Sequence, residues 1–134
     1  MSVPQSERKQ SNVEYIVILQ DIEYFFIKKF KDKNNYIPGL SDKLLKLSMD
    51  AYDFGTMYFE LCNGKMLGTL TQKKKYCKKT FYTARQVASQ INMYIRVRME
   101  EGQTVKELVL ITNKLLKVCE LLQEQLRILN KIKE

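Results

Sequence analysis

Apolar residues recur every three or four positions in four separate stretches of this chain. No stretch alternates apolar and polar residues as a half-buried strand does. The first stretch predicts a helix over about 12–31. Val13, Ile16, Leu19, Tyr24, Ile27 and Phe30 share a face, with one longer step after Leu19. At 100° per residue they fill a stripe about 140° wide. Asn12 is its candidate cap, and residues 1–11, MSVPQSERKQS, are predicted to be a flexible polar arm. The run KDKNNYIPG then breaks the pattern, with Pro38 and Gly39 marking a turn.

A second helix is expected over about 41–63. Ser41 can cap it, and Leu40 and Leu45 sit where a hydrophobic staple would place them. Leu44, Leu47, Ala51, Phe54, Tyr58 and Leu61 follow at alternating steps of three and four. Gly55 inside this helix costs roughly 1 kcal/mol against Ala, which close approach of a neighbouring helix would offset. Gly64 suits the left-handed position beyond the end. The third helix, about 70–101, opens on a capping box of Thr69 and Gln72. It buries Leu70, Cys77, Phe81, Ala84, Ala88, Ile91 and Ile95, and Gly102 closes it. Thr104 and Glu107 form a second capping box before the fourth helix, about 105–132, with Leu108, Ile111, Leu115, Val118, Leu122, Leu126 and Leu129 on its seam.

Short connections favour antiparallel neighbours, so the predicted fold is all-α, an antiparallel up-down-up-down four-helix bundle over 12–134. Some apolar residues fall off the seams. They are Val105, Val109, Leu110, Leu116, Leu121 and Ile128 in the fourth helix, and Val17, Ile18, Phe25 and Phe26 in the first. They predict either self-association, a partner surface, or a wider core stripe.

Composition removes several chemistries. The 134 residues fit one domain, and none is histidine. That takes away the commonest metal ligand, the commonest general base and the usual catalytic triads. The three cysteines, Cys62, Cys77 and Cys119, form no CxxC pair and read as small buried hydrophobes. Nothing gathers a nucleophile, a base and oxyanion donors, so neither an enzyme, nor a metal, nor a cofactor is expected. No stretch of ~18 apolar residues could span a membrane. The polar N-terminus lacks the apolar core of a signal peptide, which predicts a cytoplasmic location.

Charge changes the picture most. The net charge is +8, yet residues 65–99 alone carry nine basic residues and no acidic one. With Cys77 set towards the core, Lys75, Lys78, Tyr82, Arg85, Ser89 and Arg96 fall between about 80° and 160° on the helical wheel. They make one ridge, with Lys79 and Gln86 just behind it. Lys73 and Lys74 can lay their stems on apolar surface and keep their ammonium groups outside. Lysine and arginine can pair with phosphates, and Tyr82 could stack on an unpaired base. The competing reading is a merely solvated face, since lysine is a good helix former. Against that, Lys73, Lys74 and Lys75 crowd the positive end of the helix dipole, a cost that some use should offset.

With four helices, a basic third helix and the opening MSVPQSERKQSNVEY at Met1 to Tyr15, the chain resembles a family of small four-helix-bundle proteins. That family includes the accessory variability determinants of diversity-generating retroelements. It is related to the bundle proteins encoded in ribosomal-RNA intervening sequences. The resemblance covers nearly the whole chain by pattern, and the N-terminal opening is its most specific part. It implies a homopentameric barrel of bundles that binds a reverse transcriptase and its template RNA or cDNA in mutagenic retrohoming. It carries over no catalytic residue. The family's basic surface maps onto Lys73, Lys74, Lys75, Lys78, Lys79, Arg85, Arg96 and Arg98. Asp42, Asp50, Asp53 and Glu60 of the second helix depart from strongly basic members and confine a nucleic-acid face to part of the surface.

The expected function is therefore a non-catalytic accessory protein binding RNA or single-stranded DNA. If each subunit neutralises ~4 phosphates, log affinity should fall with log salt at a slope near −3 to −4. The alternative is a protein–protein adaptor whose apolar outer positions carry binding. A membrane-surface role for the basic helix ranks last, because its apolar seam has the spacing of a bundle core.

Overall fold

The computed structural model describes residues 5–64, 68–100 and 105–132. Four helices pack against one another: α1 (Gln5–Lys29), α2 (Leu40–Asn63), α3 (Leu70–Glu100) and α4 (Lys106–Lys131). Contacts between their ends fix the alternation of direction. The Tyr58 hydroxyl near the end of α2 donates to Gln125 Oε1 near the end of α4, at 2.6 Å. Tyr94 near the end of α3 donates to the Asn35 carbonyl just past α1, also at 2.6 Å. Around the bundle each helix neighbours the next, with α3 packed broadly on both α2 and α4. α1 leans mainly on α2 and touches α4 only lightly.

The core follows from the helical spacing. In α2 the buried positions are Ser41, Leu44, Ser48, Ala51, Gly55 and Tyr58, a strict alternation of three and four. Leu44, Ala51 and Tyr58 were expected; Leu47, Phe54 and Leu61 lie on the flank and are half-buried. Four of the six buried positions, Ser41, Ser48, Ala51 and Gly55, are small, so α1 and α3 can each approach α2 closely. A Cβ on Gly55 would stand 2.9 Å from Leu19 Cδ1 and 3.5 Å from Thr80 Cγ2. The close approach expected at Gly55 is thus present, on two sides. In α4, Leu108, Leu115, Val118 and Leu122 are buried as predicted, joined by Thr112 and Cys119. In α3 the predicted Cys77, Phe81, Ala84, Ala88 and Ile91 are buried, together with Thr80, Val87 and Tyr94. The buried arc is wide there because α3 has a neighbour on each side.

α1 corrects the sequence reading. Its buried residues are Tyr15, Leu19, Ile22, Phe26 and Phe30, whereas Tyr24 is 61% exposed. The stripe begins one register away from Ile16 and Ile27, and Phe26, expected outside it, is fully buried. The helix also begins at Gln5, so Asn12 lies inside it and is not its cap, and residues 5–11 belong to the helix rather than to an arm. Residues 1–4 of that arm lie outside the described residues.

The caps are partly as expected. Thr69 and Gln72 form their box: Gln72 N donates to Thr69 Oγ1 at 3.1 Å and Thr69 N to Gln72 Oε1 at 3.0 Å. Ser41 does not cap α2. Gly39, at φ 83°, precedes the first turn. Ser41 is already helical, and its hydroxyl accepts from Ile37 N at 2.8 Å, tying the connector to the helix. The Asp42 carboxylate accepts from the Tyr36 hydroxyl at 2.6 Å and from Gly39 N at 3.3 Å. Gly64 has φ −74°, not the left-handed value. A Cβ there would stand 2.5 Å from the Glu60 carbonyl oxygen, so crowding rather than φ selects glycine. The box at Thr104 and the stop at Gly102 lie outside the described residues.

Candidate nucleic-acid interface

α3 carries the candidate site because its core-facing arc leaves one long strip for solvent. Lys75, Lys78, Lys79, Tyr82, Arg85, Gln86, Ser89, Asn92 and Arg96 are all exposed on it. From Lys75 to Arg96 the strip runs about 32 Å at the rise of an α-helix. Lys73 and Lys74 are half-buried, as stems laid on apolar surface should be.

Arg98 does not join the strip. It is only 5% exposed. Its Nε donates to the Tyr94 hydroxyl at 3.0 Å, and its guanidinium lies 5.1 Å from the Tyr94 ring centre. Tyr94 in turn holds the Asn35 carbonyl. Arg98 therefore ties the end of α3 to the α1–α2 connector and is corrected from a surface contact to a packing residue. The wheel places it at the core edge; mapping the resembling family's basic surface onto the chain put it outside.

Within the described residues no carboxylate pairs with the ridge cations. Among the described residues, none of Lys73, Lys74, Lys75, Lys78, Lys79, Arg85 and Arg96 forms an ion pair. Two of the α2 acids are engaged elsewhere. Asp42 serves the Tyr36 turn. Asp53 acts on Glu23 of α1, whose carboxyl is raised first by desolvation and then by that neighbouring charge. Arg127 and Glu124 pair within α4, which holds the Glu124 carboxyl below its ordinary value.

Rings take the place of carboxylates. The Lys75 ammonium lies 5.5 Å from the Tyr76 ring centre, and Lys79 lies 5.2 Å from Phe54 and 5.5 Å from Tyr76. Arg85 lies 5.6 Å from Phe81. Tyr82 is 50% exposed, with Lys78 at 6.0 Å from its ring centre and the Phe81 ring set edgewise at 5.3 Å. Such contacts are worth about 0.5–1 kcal/mol at exposed sites and leave the positive charge intact. The i,i+3 partner of Lys79 was legible as Tyr76. Phe54 was not, because only the packing of α2 on α3 brings it there.

The thiols offer no reactive centre. Burial lifts Cys77 and Cys119 to about 11, and it raises Cys62 despite the opposing Tyr58 hydroxyl. Cys77 Sγ donates to the Leu122 carbonyl at 3.4 Å. No group of metal-ligating side chains is found among the described residues. No helix among them is long and apolar enough to cross a membrane.

Fold and site together define a small four-helix bundle with one cationic, ring-backed helix face. No known protein family, no characterised protein and no solved structure matches the chain.

Proposed function

We propose that this chain is a non-catalytic nucleic-acid-binding accessory protein. It works with a retroelement reverse transcriptase and its template RNA or cDNA in mutagenic retrohoming, and it does so as a homo-oligomer, a pentamer by family resemblance. The observation that supports nucleic-acid binding best is the ridge of Lys75, Lys78, Lys79, Arg85 and Arg96, with which no carboxylate pairs among the described residues. The polymerase partner and the pentamer rest on the resemblance of the N-terminal opening and the bundle pattern. Assembly would repeat the ridge around a ring and raise the effective concentration of weak phosphate contacts. The test is binding of a labelled RNA across a salt series, with the particle mass measured alongside. A log–log slope near −3 to −4 per engaged subunit is expected for ~4 neutralised phosphates. Charge reversal at Lys75, Lys78 and Arg85 together should abolish the slope. Binding indifferent to salt, or unchanged in that variant, excludes the ridge.

A second reading, a protein–protein adaptor, draws on the α1–α4 seam. Leu110 and Ile128 are exposed there beside half-buried Ile18, Phe25 and Leu121. Three surface recesses open along it. Nucleic-acid affinity no better than that for a neutral polymer, with retained polymerase binding, would favour this reading.

A further inference from the structure

We propose, building on the nucleic-acid reading above, that the α3 ridge grips the phosphate rails of a double helix in preference to a single strand. Proteins that hold single strands without sequence preference combine cations with open aromatic platforms on which bases stack. Here the two are combined differently. Phe54, Tyr76 and Phe81 are buried or half-buried, and each has a lysine or arginine set against it. The one exposed ring on the ridge, Tyr82, carries the Lys78 ammonium near its face and the Phe81 ring against its edge. A base stacking on the Lys78 side of Tyr82 would have to displace that cation. The ridge thus presents more charge than open π-surface.

The shape of the ridge points the same way. Its cations stand on a straight helix about 32 Å long, which is close to one turn of a B-form duplex. A duplex offers phosphates already fixed in space. A single strand must be ordered to meet a rigid line of charges, and it recovers no stacking for that cost. Between Arg85 and Arg96 the strip carries the neutral groups of Gln86, Ser89 and Asn92, beside the exposed Met93. They can hydrogen-bond to phosphate or sugar oxygens without reading sequence.

The test uses the full chain and four probes of one sequence: a DNA duplex, an RNA duplex and one single strand of each. Affinities are measured by anisotropy at fixed salt. The expected result is at least about fivefold tighter binding of a duplex than of its own strand. Tyr82→Ala should leave single-strand affinity within about twofold, because a stacking ring would be worth about fivefold or more. Charge reversal at Lys75, Lys78 and Arg85 should erase the duplex preference. Equal or tighter binding of the single strands overturns the inference and leaves nucleic-acid binding itself standing. So does a loss of more than about fivefold in single-strand affinity on Tyr82→Ala. No binding of any probe sinks both.

Discussion

Single residues in this bundle are assigned by what surrounds them more than by their type. Arg98 is the clearest case, a cation spent on holding Tyr94. Tyr94→Phe removes both the acceptor for Arg98 Nε and the donor to the Asn35 carbonyl. It should cost about 1–3 kcal/mol in urea unfolding, as losses of buried hydrogen bonds do. Nucleic-acid affinity of the folded variant should be unchanged. The thiols make a second case. Cys77 and Cys119 hold their protons to about 11 in the folded chain, against about 8.5 when unfolded. The folded state binds the proton more tightly, so this contribution is complete below about 8.5 and is lost as pH rises through 11. For each thiol the loss is on the order of 3 kcal/mol. Tyr58 and Tyr15, raised chiefly by burial, add to it in the same direction. The urea midpoint should fall between about pH 8.5 and 11, and Cys77→Ala should show a shallower fall than the parent chain.

At the scale of elements, spacing in the sequence carried most of the fold. The existence of four helices, the turn at Pro38 and Gly39, the Thr69–Gln72 box and the seams of α3 and α4 were legible, because each depends on neighbours within a turn or two. The start of α1 and its buried face were not. Tyr15, Leu19, Ile22, Phe26 and Phe30 step by three and four, but α1 is apolar over so wide an arc that several stripes fit its sequence equally well. Only packing against α2 selects one. The ridge on α3 was legible for the same reason that its seam was, since both follow from one wheel. The rings beneath it, Phe54 above all, required the neighbouring helix. α1 packs closely on α2 at Gly55. Gly55→Ala gains up to ~1 kcal/mol of helix propensity but drives a methyl to 2.9 Å from Leu19, which is itself buried. Overpacking costs typically about 1–3 kcal/mol, so a net loss near ~1 kcal/mol is expected. A Leu19→Val change should be less harmful in the Gly55→Ala variant than in the parent, a coupling that a double-mutant cycle in urea would read.

For the whole molecule, the separation of charge matters more than its sum. One helix face carries the cations, while Asp42 of α2 faces the connector and Asp53 faces Glu23 of α1. A ligand that meets the ridge is therefore repelled by few carboxylates. The cations it meets are already laid against rings, so less side-chain freedom is lost on binding, a saving of about 0.5–1.5 kcal/mol for each such side chain. The bundle is unequal in its closure as well. α3 shares broad interfaces with both α2 and α4, while α1 is held chiefly from one side. Helical hairpins that are gripped on one flank open before the rest of a domain does. Backbone amides of Leu19 to Phe26 should thus trade their hydrogens for deuterium well ahead of those of Cys77 to Ile91, through an excursion in which α1 swings off and three helices stay together. A first helix whose amides prove the slowest to exchange would place the weak joint elsewhere.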